Sequence, residues 1–132
     1  MTAGVKILLM DDDEVLRKLT SKKLIRMGFE IETAREGDEA VKMYRDALAA
    51  QRPYDVVILD LVIQEGVDGK ETIARLLRID PGVRAIVSSG FVNDPTMSDF
   101  WEEGFIEILP KPYKTNELED VIKRVLEMPA SD

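Results

Sequence analysis

Residues 55–62 read DVVILDLV. Four aliphatic residues, Val56–Leu59, stand between two aspartates with no polar residue to mark a solvated face. So short and β-branched a run is the pattern of a strand buried on both sides, as in a parallel sheet covered by helices. Other runs repeat it: Val5–Met10 ends in Asp11-Asp12, Arg84–Val87 ends in Ser88, and Ile106–Pro110 ends in Lys111. Parallel strands set their carboxyl ends along one edge, where open α/β sheets bind ligands. That edge then carries the carboxylates of Asp11, Asp12 and Asp60, the Ser88 hydroxyl and the Lys111 ammonium. Like charges repel and buried charges need partners, so a divalent metal beside the lysine is expected to neutralise them.

Between the runs the apolar residues fall at helical spacing. Leu16, Leu19, Leu24 and Met27 predict a first helix stopped by Gly28, and Phe29–Ala34 alternates weakly, as an edge strand does. Glu36–Gln51 predicts a second helix with Ala40, Val41, Tyr44, Ala47 and Leu48 on one face. Lys70–Ile79 predicts a third, directing Ile73, Leu76 and Leu77 inward and ending at Asp80-Pro81-Gly82. Arg84–Ser89 is the fourth strand, Pro95–Glu103 a short and weakly amphipathic helix, Phe105–Leu109 the fifth strand, and Asn116–Met128 the last helix. Five βα units with right-handed crossovers make an α/β, doubly wound, five-stranded parallel sheet with helices on both faces. With no repeat or linker, residues 1–132 are expected to be one domain with a core over about 5–128.

Composition narrows the function. The chain has 132 residues, 45% of them hydrophobic, enough to bury a core without staples, and no cysteine, so neither a disulfide framework nor a thiolate metal site is expected. No secretory or membrane-spanning segment is visible, and a cytoplasmic location is expected. A net charge of −8 without a Lys/Arg block argues against a nucleic-acid surface. The absence of histidine removes histidine bases, ligands and phosphohistidine, so the chain cannot itself be the donor half of a His-to-Asp relay.

The motifs ILLMDDDEVLR (7–17), DVVILDLV (55–62), AIVSSG (85–90) and LPKPY (109–113), in that order, resemble the receiver domain of two-component response regulators over nearly the whole chain. GKETI, IDPGVRAIVSSGF and KPYK look most like receivers of hybrid sensor histidine kinases. The resemblance implies the flavodoxin-like strand order 2-1-3-4-5, which belongs to the family and is carried over with it. It implies that Asp60 is the phosphoacceptor, fixed at a strand end for in-line attack on a phosphoryl group. Mg²⁺ would be held by Asp12 directly, by Asp11 mainly through water, by Asp60, and by the backbone carbonyl of Val62. Lys111 would pair first with Asp60 and then with the phosphoryl group, Ser88 would donate its hydroxyl to that group, and Lys111-Pro112 would be cis.

The implied partners are a sensor histidine kinase or phosphotransfer domain, a downstream protein, and a second copy of the chain; nucleic acid and membrane are not expected. Output would pass through the fourth helix, fifth strand and fifth helix, with the chain a phosphorylation switch and not a true enzyme.

Each site residue also has a plainer reading. Asp60 could cap the next turn, and the acids at 11–14 could serve a helix start, which does explain Asp13 and Glu14. Phe100 and Trp101 are more often packing residues, though they make that face a candidate docking patch. The chain also departs from the family: the loop from Asp60 to Gly69 is one residue longer, Gln64 stands where proline is usual, and Ile108 replaces the aromatic switch residue. Phe105 could take that part only with a shifted register. The alternative reading is a haloacid-dehalogenase-type phosphatase with Asp11 as nucleophile in Asp11-Asp12-Asp13-Glu14-Val15. That family needs a further acidic motif after the lysine, and the reading leaves Asp60 unexplained.

Overall fold

The computed structural model of the chain describes residues 4–90 and 97–129. Strands β1 (Lys6–Met10), β2 (Glu30–Ala34), β3 (Val56–Asp60), β4 (Ala85–Ser89) and β5 (Glu107–Pro110) alternate with helices α1 (Glu14–Arg26), α2 (Gly37–Ala49), α3 (Gly69–Ile79), α4 (Met97–Glu103) and α5 (Thr115–Glu127). Every neighbouring pair of strands is parallel, in the order β2-β1-β3-β4-β5, as expected for the doubly wound sheet.

Strand side chains alternate between two apolar layers, the period-two rule at work on runs that carry no polar face. Leu8, Met10, Val57, Leu59, Ala85 and Val87 point to the layer closed by α2, α3 and Phe100 of α4. Ile7, Leu9, Val56, Ile58, Ile86 and Leu109 point to the layer closed by Leu24 of α1 and the apolar face of α5. β1, β3 and β4 are buried throughout, whereas β2 is exposed at Glu30 and only partly covered to Thr33, which fits its weak alternation.

Two expectations are corrected. Leu19 does not join the α1 core stripe: it is 49% exposed, and the buried residues of α1 are Thr20 and Leu24. Thr20 faces inward because its hydroxyl shares a 2.7 Å hydrogen bond with the Tyr113 hydroxyl. β5 begins at Glu107, so Phe105 precedes the strand, packed edge-on against Phe100 in the core. Pro95 and Thr96, the expected start of α4, and the loop from Phe91 lie outside the described residues.

α5 is held at both ends. At its C-terminus the Arg84 guanidinium donates to the carbonyls of Val125 (3.3 Å), which also accepts from the Met128 N–H, and of Met128 (3.0 Å), supplying donors where a helix end has carbonyls to spare. Arg124 pairs with Glu107 of β5 at 3.2 Å. Just ahead of its N-terminus lies the Tyr113–Thr20 bond.

Candidate functional site

The strand ladders run one residue beyond β1, β3 and β5, and those bonds set the site. Asp11 N–H donates to Ala34 O (3.0 Å), Leu61 N–H to Ser88 O (2.9 Å) and Lys111 N–H to Ser89 O (2.8 Å). The backbones of Asp11, Asp60 and Lys111 are therefore fixed by the sheet while their side chains face the crevice. Ser88 lies directly opposite Asp60 in the β3–β4 register.

The Lys111 ammonium donates to Asp11 Oδ2 and to Asp60 Oδ2, each at 3.0 Å. The expected pairing with Asp60 is present. The second bond, to Asp11, was not read from the sequence, because spacing along the chain does not say which of two neighbouring acids turns toward a lysine three strands away in the sheet. Asp11 also accepts from the Asp13 N–H through Oδ1 at 2.9 Å, and Asp13 caps α1 by accepting from Leu16 N–H at 3.0 Å. The acids at 11–14 thus divide, with Asp13 and Glu14 serving the helix start and Asp11 serving the crevice.

One carboxylate oxygen from each of Asp11, Asp12 and Asp60 lies within 4.8 Å of the others. Asp11 and Asp60 are buried and Asp12 is exposed. Asp11, Asp12, Asp60, Val62 and Lys111 line one cleft of about 370 Å³ together with Asp13 and Gln64. The Val62 main-chain N–H favours the charged form of the Asp60 carboxyl. The cis peptide at Lys111-Pro112 is present. The Ser88 hydroxyl is buried and has no hydrogen-bond partner among the described residues. A buried hydroxyl without a partner is costly in a finished core and is what a binding site for an acceptor oxygen looks like before it fills.

Electrostatics sharpen that picture. Burial pushes the Asp60 carboxyl up to about 6; the hydrogen bond and charge of Lys111 oppose the rise, while Asp11 adds to it. For Lys111, burial works downward, but its hydrogen bonds to Asp60 and Asp11 outweigh this and hold it above its ordinary value. The ammonium's charge is thus favoured and the Asp60 charge is not. One ammonium shared by two buried carboxylates accounts for both, and the Asp60 direction governs the cluster as a whole: it is short of positive charge. A donor set of oxygens short of positive charge fits a hard divalent cation.

The loop from Asp60 to Gly69 is anchored at three points. Gln64 N–H donates to Asp12 Oδ2 (3.0 Å), Val67 N–H to Glu36 Oε1 (3.2 Å) and Gly69 N–H to Leu61 O (3.2 Å). A Cβ at Gly69 would lie 2.5 Å from the Asp60 carbonyl oxygen, so only glycine lets α3 start that close to β3. Glu36, the N-cap of α2, also accepts from Asp38 and Glu39. Burial works upward on its carboxyl, but its three backbone hydrogen bonds prevail and hold it below the usual range. Neither Glu36 as a loop anchor nor the Gln64 tether was read from the sequence. The extra loop residue and the missing proline were the available signals.

The residues weighed for switching and docking divide by burial. Ile108 is buried opposite Val87. Phe100 is also buried, so of the pair on α4 only Trp101, 45% exposed, offers itself at the surface.

Residues 7–123 match the family described as the response regulator receiver domain. The chain is 32% identical over 124 residues to the DNA-binding transcriptional regulator NtrC of Azospirillum brasilense, covering 94% of this chain and 24% of that protein. It is 30% identical over 121 residues to sporulation initiation phosphotransferase F of Bacillus subtilis, covering 92% of this chain and 93% of that one. A solved structure of response regulator TrrA from Thermotoga maritima, in complex with Mg²⁺-BeF, superposes with a TM-score of 0.79 at 27% identity, covering 92% of this chain and 99% of that one.

The chain belongs to the response regulator receiver domain family, the phosphate-accepting switches of two-component signalling. Its relatives include transcription regulators, a sporulation phosphotransferase, a chemotaxis protein and a sensor kinase, with no preference for the last. The phosphatase reading with Asp11 as nucleophile is set aside by this membership. Among the described residues no helix is long and apolar enough to cross a membrane.

Proposed function

We propose that Asp60 takes the phosphoryl group from a phosphohistidine on a sensor kinase or phosphotransfer domain. The new P–O bond forms to an Asp60 carboxylate oxygen as the phosphorus–nitrogen bond of the donor breaks. The carrying observation is the shared ammonium: Lys111 touches Asp60 and Asp11 at 3.0 Å each, at a sheet edge short of positive charge. Mg²⁺ suits the remaining need, held by Asp12, by Asp11 largely through water, by Asp60 and by the Val62 carbonyl; bound there, it neutralises charge on the incoming group. Lys111 then moves its contact from the carboxylate to a phosphoryl oxygen, and the unpartnered Ser88 hydroxyl donates to another.

In this reading residues 1–132 are one receiver domain working in the cytoplasm. A downstream protein or a second copy reads the face of α4, β5 and α5. Placement of the domain within a hybrid kinase is supported by the GKETI, IDPGVRAIVSSGF and KPYK fragments alone. The decisive experiment is intact mass after incubation with a small phosphodonor and Mg²⁺. One acid-labile phosphoryl group on the wild type and none on Asp60→Asn is the expected result. An adduct mapped to Asp11 would overturn it.

A further inference from the structure

Asp12 differs from the two carboxylates beside it. It is exposed, among the described residues no ammonium reaches it, and its side chain accepts a hydrogen bond from the Gln64 N–H, 52 residues away, at 3.0 Å. An exposed carboxylate otherwise samples several rotamers and loses that freedom when it is drawn into a ligand set. The tether fixes it with an oxygen within 4.8 Å of those of Asp11 and Asp60. It also uses only part of the acceptor capacity, since each carboxylate oxygen has two lone pairs.

The donor is a main-chain amide, which every residue but proline supplies. We propose that the main-chain N–H of Gln64 is the positioning group for Asp12, holding that carboxylate in the metal-binding arrangement and coupling occupancy of the cation site to order in the loop from Leu61 to Gly69. The proposal rests on the reading of Asp12 as an Mg²⁺ ligand. Gln64 acts through Asp12 and is a positioning residue, not a catalytic one.

Two further bonds make the coupling specific to this loop. Val67 N–H on Glu36 and Gly69 N–H on Leu61 O hold its far end against α2 and against β3, so the near end at Gln64 is the part left for Asp12 to fix. Coupling is reciprocal: a cation that needs Asp12 in place tightens the loop, and a loop held by Gln64 strengthens the cation site.

The test uses the full chain and Mg²⁺ alone, with affinity read by calorimetry. Gln64→Pro removes the donor and keeps the chain length, and is expected to weaken Mg²⁺ about tenfold, the usual scale for groups that orient a ligand. Gln64→Ala keeps the N–H and discards the side chain, and is expected to restore affinity to within about twofold of the wild type. Equal losses in the two variants would assign the effect to the side chain and overturn the proposal, as would an unchanged Gln64→Pro.

Amide exchange on the wild type gives a reading independent of how the proline variant folds. The Gln64 amide should exchange slowly, should slow further with Mg²⁺, and should lose protection in Asp12→Ala. Faster exchange on adding Mg²⁺ would mean that the carboxylate abandons the amide to take the cation, and would overturn the proposal. Asp12→Ala separates the two levels. If it leaves Mg²⁺ affinity intact, the metal reading falls and the tether with it; if it abolishes binding while Gln64→Pro does not, the tether falls alone.

Discussion

The two halves of the crevice are finished to different degrees. On the β1–β3 side every carboxylate is engaged: Asp11 and Asp60 by Lys111, Asp11 again by the Asp13 N–H, and Asp12 by the Gln64 N–H. On the β4 side the Ser88 hydroxyl is buried and unmatched. The lesson is one of sequence in time: the cation side is assembled by folding, whereas the side that receives an anion keeps a donor in reserve. Lys111 stands between them, bonded to the carboxylates but partly open to the cleft, its side chain 20% exposed.

Removing Lys111 attacks the finished side directly and should have the largest effect. Lys111→Met leaves Asp11 and Asp60 buried with no counterion, and stability near pH 8 should fall by about 2 to 3 kcal/mol. That is somewhat less than for a fully enclosed broken pair, because this one borders solvent. Chemical denaturation measures it. A drop of a few tenths would mean that water, not the lysine, satisfies the acids, and the contrast between the halves would weaken.

The titration of Asp60 comes next. Folded, it holds its proton to about pH 6, against a usual value near 3.8, so the folded state binds the proton more tightly than the unfolded one. The resulting stability is complete below about pH 4 and is lost as pH rises through about 6, by about 3 kcal/mol for a shift of this size. Asp60→Asn should flatten that slope. Mg²⁺ competes with the same proton, so its affinity should fall about fivefold from pH 6 to pH 5, with proton release visible in calorimetry. A wild-type stability curve that rises between pH 4 and 6 would reverse the sign and contradict the shortage of positive charge.

Ser88→Ala probes the unfinished side and should do little to the resting protein. Deleting an unpartnered buried hydroxyl is neutral or stabilises by up to about 1 kcal/mol. The same variant should blunt the response to beryllofluoride with Mg²⁺ while leaving Mg²⁺ affinity unchanged. Marked destabilisation would show the hydroxyl to be satisfied after all. The smallest signal is expected from Trp101, whose exposed ring should change emission on adding beryllofluoride with Mg²⁺, since Ile108 has neither a ring to swing nor a hydroxyl to exchange. If the fluoride complex forms and both emission and amide exchange around Trp101 stay constant, output leaves the domain elsewhere.

The difference between the halves also marks what could be read from the chain. The four strand-end motifs placed Asp11, Asp60, Ser88 and Lys111 because a buried parallel strand leaves one possible exit for its last polar residue. Element ends came within a residue or two where a cap or turn residue spoke, as at Asp13, Gly28 and Asp80. Leu19 was misread since an apolar residue at helical spacing can also lie at the margin of the buried stripe, where Thr20 won the inner place through Tyr113. The tether of Asp12 and the anchoring by Glu36 were hidden for a different reason: their donors are main-chain amides, and every residue but proline carries one.

The clasp of Arg84 on the last carbonyls of α5 has a mechanical consequence. With that clasp at one end, the Thr20–Tyr113 bond near the other, and Arg124 fastened to β5 along its side, α5 is built as a fixed wall. α4, seven residues long, meets the core through Phe100 and carries Trp101 on its outer side. A disturbance at Ser88 that reaches both elements will therefore be absorbed unequally, with the wall serving as fulcrum and the short helix as lever. A partner that grips both can sense the angle between them, even though neither changes its internal structure.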